Sequence, residues 1–299
     1  MSNLMDQTRE DHATTGRAAW PAGAEQVRAV LSRWFKALQL THADARTLRF
    51  TAQGGSADVR VQLEVLQPAI AGEGRQRELF YLEAFAAAKL SHANVARTSK
   101  PQEIAGVHFC VIEYKPEARR LRDLLSRNGW LEVSAACDVA GQLAAALDCA
   151  HRLGVLHLRL SPDCVLVEPN GRVTVGGFGI ESAPPLGWAH RERARQLAAT
   201  YASVEQASGA DCDRRSDLYS LGAILYEMLT DRVPFDSDEA DYVRERQLLL
   251  SPAPPHLISP EVPEALSDVV MKLLERDARN RFAGAAEFQI ALDEARHLR

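Results

Sequence analysis

The chain has 299 residues, of which 46% are hydrophobic and 25% are charged, so it is long enough for one large domain or two closely packed domains. Its formal net charge of -5 at pH 7 argues against nucleic acid or an anionic membrane surface as a partner. The five cysteines are scattered and include no C-x-x-C pair, which argues against a disulfide framework or a structural zinc site.

The N-terminal part of the chain predicts a tail followed by a helix. Residues 1–23 are polar and lack apolar periodicity, which indicates a flexible tail. Between residues 24 and 40 the apolar side chains recur at helical spacing, at Val27, Val30, Leu31, Trp34 and Leu38. No glycine lies between Gly23 and Gly54, so a G-x-G-x-x-G loop is absent there. We therefore assign residues 24–46 to a helix.

The next elements alternate between strands and helices. Residues 47–53 and 59–66 predict two strands joined by a glycine-rich turn. Residues 78–90 predict a helix whose inner face carries Leu79, Leu82, Phe85, Ala86 and Leu90. A strand at 109–114 follows, then a short helix from Leu121 and a long helix at 133–153 that is ended by a glycine.

Two later segments carry a family resemblance. Residues 154–167 read GVLHLRLSPDCVLV and precede GFG at 177–179; they resemble the catalytic loop G-V-[VI]-H-R-D-L-K-P-x-N-[IV]-L-[LV] and the D-F-G of eukaryotic-type serine/threonine protein kinases. Residues 213–230 read DRRSDLYSLGAILYEMLT and resemble that family's F helix, the most specific match in the chain. The resemblance covers about residues 48–292. The family has a first strand and a glycine loop just before this range, so the resemblance implies that the helix at 24–46 replaces both. It implies an α+β, two-lobed kinase-like fold with a small β-rich N-lobe and a larger helical C-lobe.

The positions that carry the family's chemistry are altered. In the family, an Asp takes the substrate proton, a Lys steadies the phosphoryl group, and an Asn and the D-F-G Asp hold magnesium. This chain has other residues there, namely Arg159, Ser161, Cys164 and Gly177. Arginine stays protonated and cannot act as a base. Neither glycine nor a thiol is a good magnesium ligand.

The resemblance assigns the cleft between the lobes in the same way. It places Glu64 at the position of the phosphate-binding strand Lys and Glu83 at the helix glutamate that normally pairs with that Lys. The two carboxylates should then repel, so that they splay apart or one of them protonates. Remnants of the nucleotide pocket are expected at its back wall and hinge, at Ile112, Glu113 and Tyr114.

The structural positions of the family are retained. They are His157, Phe178, Glu205, Asp217 and Arg281. The resemblance implies that Asp217 binds backbone amides of the catalytic loop and that Arg281 pairs with Glu205. Residues 181–203 occupy the position of the activation segment.

Loss of the chemical positions beside retention of the frame predicts a pseudokinase, a protein-binding scaffold or regulator in signalling without enzymatic activity. We expect no metal site, and weak or absent binding of ATP and magnesium, so no cofactor. Two alternatives stay open: an atypical serine/threonine kinase that uses Asp163 or Glu168, and a nucleotide sensor without phosphoryl transfer.

The predicted organisation has four parts: a tail at 1–23, a helix at 24–46, an N-lobe at 47–114 and a C-lobe at 115–299. The N-terminus lacks a signal-peptide pattern and no apolar run approaches the roughly 20 residues of a membrane helix. We therefore expect a cytoplasmic protein whose partner is another protein, and neither nucleic acid nor a membrane.

Overall fold

The computed structural model describes residues 23–43, 46–54, 59–178, 199–236 and 240–297. The predicted tail up to residue 22 and most of the predicted activation segment lie outside these ranges. The predicted α+β fold with a β-rich N-lobe and a helical C-lobe is confirmed. Each lobe has a core of its own.

A five-stranded antiparallel sheet forms the N-lobe, with strand order β1-β2-β3-β5-β4. Its strands are β1 (Lys36–Ala43), β2 (Thr47–Gln53), β3 (Arg60–Leu66), β4 (Gln102–Ile104) and β5 (Val107–Glu113). Arg49 pairs in register with Glu64, and Glu64 pairs with Cys110. Because paired residues of antiparallel strands share a face, these three side chains lie on one face of the sheet.

The predicted helix at 24–46 is too long, and it does not replace a strand. Helix α1 (Ala24–Leu31) ends after eight residues, and strand β1 follows it. The buried residues of α1 recur every three or four positions, and they pack on the sheet against residues such as Phe50 and Phe109. Trp34, which was predicted for the inner face, is 49% exposed because the chain has already left the helix.

Two helices connect β3 to β4. They are α2 (Pro68–Ala71) and α3 (Gly74–Ala88). The inner face of α3 carries Phe80, Ala84 and Ala87. Leu82 and Phe85, predicted to be on that face, are 54% and 43% exposed. The helix is therefore rotated from the predicted orientation, because the bulky Phe80 ring fills the space beside the sheet.

The C-lobe is built around one buried helix. Its helices are α4 (Leu121–Asn128), α5 (Val133–Arg152), α6 (Val204–Ser208), α7 (Arg214–Thr230), α8 (Ala240–Leu249), α9 (Pro255–Ile258), α10 (Glu264–Leu273) and α11 (Ala285–His297). Every residue of α7 from Ser216 to Thr230 is buried. A small sheet of β6 (Arg119–Arg120), β7 (Val165–Val167) and β8 (Val173–Val175) lies beside these helices. By length and apolar composition alone, helix α5 could span a membrane, but a buried core helix can have the same length and composition. The inner residues of α5 belong to the C-lobe core.

Candidate active site

The loop between α5 and β7 is held in place by the buried carboxylate of Asp217 on α7. This carboxylate accepts hydrogen bonds from the backbone N–H groups of His157 (2.9 Å) and Leu158 (2.7 Å), and its Oδ2 lies 2.7 Å from Nε2 of His151. Leu158 has a φ of 55°, a left-handed conformation that costs free energy in a non-glycine residue. The two backbone bonds to Asp217 hold the loop in this shape, and the His151 contact connects the end of α5 to the same carboxylate.

His157 connects that loop to the segment after β8. Its Nε2–H donates to the Gly176 carbonyl at 3.0 Å, and its Nδ1 accepts from the backbone N–H of Arg159 at 3.3 Å. The imidazole contacts the Phe178 ring edge-on, with 4.7 Å between centroids. Burial lowers the pKa of His157, despite the opposing effect of Asp217. The neutral ring therefore acts as a structural link, with the proton on Nε2.

The four altered positions lie on and beside this loop. The Cys164 thiol donates to the carbonyl of Arg159 at 3.4 Å and lies 3.8 Å from Oγ of Ser161. A Cβ added at Gly177 would lie 3.9 Å from the Cys164 sulfur, so the family's two metal-binding positions adjoin each other here as well. Neither offers an oxygen ligand from its side chain, and in the described part of the chain no three His, Cys, Asp or Glu residues cluster as a metal site. The residues at these two positions do not fit magnesium.

The expected repulsion between Glu64 and Glu83 took no account of their arginine partners, of which the structure provides one for each carboxylate. Nη1 of Arg46 lies 2.6 Å from Oε1 of Glu83, and both side chains are largely buried. Nη2 of Arg49 lies 3.5 Å from Oε1 of Glu64, which also accepts from the Thr47 hydroxyl at 3.4 Å. Neither arginine was among the residues predicted for the cleft. The available signal was the basic residue opposite Glu64 in the predicted hairpin.

Cys110 lies on the same sheet face as Arg49 and Glu64. Burial, reinforced by the nearby Glu64, raises the pKa of its thiol. The thiol therefore stays protonated and unreactive in the folded chain.

The predicted hinge lies where β5 leaves the N-lobe. Ile112 pairs with Gln62 of β3, and β5 ends at Glu113. Nζ of Lys115 lies 2.9 Å from Oε1 of Glu113 and 3.6 Å from Oε1 of Glu168, which follows β7. Lys115 thus links the last residue of an N-lobe strand to the C-lobe, with Tyr114 in the connection between them.

A second cluster of charged residues surrounds Arg122 of α4 and includes Asp163 of the loop. Its guanidinium donates to Glu227 at 2.7 Å and to the Tyr201 hydroxyl at 2.6 Å, and its Nε lies 3.5 Å from Oδ2 of Asp163. The Tyr201 hydroxyl in turn donates to Glu227. Burial, and then Glu227, raise the pKa of Tyr201. Asp163 is the open member of this cluster, with 40% of its side chain exposed.

Glu205 and Arg281 form a bidentate pair behind the site. Their nitrogen–oxygen distances are 2.7 and 2.9 Å, and the Arg281 side chain is fully buried. The Ser216 hydroxyl also donates to Glu205 at 2.7 Å. Burial alone would raise the pKa of Glu205, but the bonds from Arg281 and Ser216 outweigh burial and lower it.

Comparison with curated proteins finds bacterial relatives. The chain is 31% identical over 258 residues to a probable serine/threonine-protein kinase of Clostridium perfringens, covering 86% of this chain and 38% of the relative. It is 32% identical over 259 residues to a serine/threonine-protein kinase of Myxococcus xanthus, covering 81% of this chain and 46% of the relative. The chain therefore spans less than half the length of these relatives.

Solved structures with the same fold include the PknI kinase domain of Mycobacterium tuberculosis. One of these structures matches with a TM-score of 0.68 and 23% identity, over 89% of this chain and 98% of that domain. At this identity the match supports the fold alone.

The relatives correct two expectations. Because they are named serine/threonine-protein kinases, the expectation that the chain is not an enzyme is contradicted. The expectation of no cofactor is contradicted with it, since such kinases use ATP and magnesium. The sequence model of the protein kinase domain matches residues 70–291 of this chain. Together with the two-lobed fold and the catalytic-loop frame, this match shows that the chain belongs to the protein kinase family.

Proposed function

We propose that this chain is a serine/threonine protein kinase domain with an atypical catalytic centre. The observation that supports the proposal is the position of Asp163 on a catalytic loop that the hydrogen bonds of Asp217 and His157 hold in place. Asp163 lies four residues after Arg159, is 40% exposed and lies beside Arg122, which also bonds Tyr201. A partly exposed carboxylate is therefore available on the same loop as the position from which the family's base is missing.

The proposed reaction needs one base. The hydroxyl oxygen of a serine or threonine bonds to the γ-phosphorus of ATP, while the bond from that phosphorus to the β,γ-bridging oxygen breaks and ADP leaves. The hydroxyl proton passes to the carboxylate of Asp163 and then to water. Arg122 holds that carboxylate in place. Glu168, the other candidate base, is bound to Lys115 at the hinge and is less suited to the role.

This proposal replaces the scaffold role expected from the altered positions, which the comparisons do not support. The proposed partner is still a protein, since it carries the acceptor hydroxyl. Because the usual base and metal ligands are missing, we expect turnover well below the roughly 1–100 per second of ordinary kinases. Loss of a well-placed base typically costs about 10²–10⁴-fold in rate.

The test is incorporation of radiolabelled phosphate from ATP into the chain itself and into generic protein substrates. Incorporation by the wild-type chain that is lost in Asp163→Asn would support the proposal. Asp268→Asn, on the exposed side of α10, is the matched control and should keep wild-type incorporation. No incorporation by the wild-type chain would overturn the kinase proposal, and full incorporation by Asp163→Asn would overturn the role of Asp163.

A further inference from the structure

Two arginines lie on the N-lobe side of the cleft between the lobes, where the family has one strand lysine. Glu64 takes the position of that lysine, and its register partner on β2 is Arg49. Arg46 precedes β2, at the end of the connection from β1, and its guanidinium contacts Glu83 on α3 at 2.6 Å. The positive charge has therefore moved from β3 to the start of β2. The ion pair to the helix glutamate is restored with a new cation.

We propose that Arg46 and Arg49 bind the phosphate groups of a nucleoside triphosphate in this cleft. The proposal rests on the proposed function for the identity of the ligand and adds the residues that recognise it. A guanidinium has five N–H donors in a planar fork that matches two phosphate oxygens, so it can bind a carboxylate and a phosphate together. The side chain of Arg49 is 35% exposed, so a ligand in the cleft can reach it.

Burial makes the Arg46 contact stronger. The side chain of Arg46 is only 10% exposed and that of Glu83 only 17%. Charged hydrogen bonds in such a poorly solvated place are stronger than at the surface. Glu83 positions the guanidinium, as the helix glutamate positions the lysine in the family.

The same geometry indicates how the phosphates are held without a divalent cation. The side chains at Cys164 and Gly177 offer no oxygen ligand for a divalent cation. The guanidinium groups of Arg46 and Arg49 donate charged hydrogen bonds to phosphate oxygens without a metal, while Glu83 and Glu64 offset their formal charge. Binding of ATP to this chain should therefore persist when divalent cations are removed.

Calorimetric titration of the full chain with ATP, in EDTA and in magnesium, tests this inference. We expect saturable binding in EDTA, and affinity about 10- to 100-fold lower in Arg46→Gln, as for the loss of one charged hydrogen-bond donor. Arg49→Gln should also weaken binding and serves as the second variant if Arg46→Gln does not fold. The control is Arg75→Gln, an exposed arginine on α3, which should bind ATP like the wild type.

Adenosine and inorganic triphosphate separate phosphate recognition from general damage to the cleft. Inorganic triphosphate should compete with ATP, and any binding of adenosine should be equal in wild type and in both variants. No binding of ATP by the wild-type chain, binding only with magnesium, or binding unchanged in both variants would overturn the inference. ATP binding that depends on the arginines without phosphate incorporation would overturn the proposed kinase activity alone.

Discussion

Arg281 should contribute more to the stability of the chain than any residue of the cleft. Its fully buried guanidinium bonds Glu205 twice and also donates to the carbonyls of Arg215, Glu275 and Arg276. Arg281→Ala leaves the Glu205 carboxylate without its main partner, which costs about 3–5 kcal/mol for a buried pair. Urea unfolding should show this loss to be larger than that of any cleft substitution. Arg279→Ala, an exposed control two residues away, should be close to the wild type in stability.

The same pair predicts a pH dependence. The pKa of Glu205 is lower in the folded chain than its usual value of 4.5, so its ionised form contributes stability at neutral pH. That contribution is complete above the unfolded pKa and is lost as the pH falls through the folded pKa. Glu205→Gln should therefore lose less stability than the wild type on acidification from about pH 5 to pH 3. Equal acid sensitivity in the two proteins, measured by urea unfolding at each pH, would contradict this.

At the scale of elements, the close approach of α7 to α10 depends on Gly222. A Cβ added there would lie 2.6 Å from the Cβ of Leu273, which belongs to a packed helix and cannot move easily. Alanine is the better helix former by about 1 kcal/mol, but overpacking costs about 1–3 kcal/mol, so Gly222→Ala should be less stable by up to about 2 kcal/mol. Gly141→Ala on α5 is the control, since its nearest neighbour would lie 4.0 Å away. Thermal unfolding should show this control to be as stable as the wild type or more so.

At the scale of the whole molecule, two buried thiols should report separate opening of the lobes. Cys110 belongs to a small N-lobe cluster with Leu66, Phe80 and Ala84, whereas Cys137 belongs to the large C-lobe core. Burial raises the pKa of both thiols, that of Cys137 to about 11, so neither reacts while its lobe is folded. Because smaller cores open more easily, a thiol reagent should label Cys110 at a lower urea concentration than Cys137. Simultaneous labelling of the two, located by peptide mass spectrometry, would indicate a single cooperative unit.

Much of the C-lobe frame could be predicted from the sequence. The Asp217 bonds to the catalytic loop and the Arg281 pair with Glu205 lie where the family motifs place them. These motifs are informative because a buried carboxylate or guanidinium requires a specific partner, which restricts the residue at both positions. The identity of the altered residues, such as Arg159 and Gly177, could also be read directly.

In the N-lobe, the bounds of the elements and the ion pairs of the cleft were decided by tertiary structure. The apolar positions of residues 24–40 fit one helix, but only packing on the sheet decided that α1 ends at Leu31 and that β1 follows. The partners of Glu64 and Glu83 could not be predicted from the sequence either. Arg49 reaches Glu64 through the β2–β3 register, and Arg46 reaches a helix 37 residues further along the chain. The sequence by itself determined which charges the cleft contains; only the folded chain decided their pairing, because ion pairs depend on distances of a few ångströms between segments far apart in sequence.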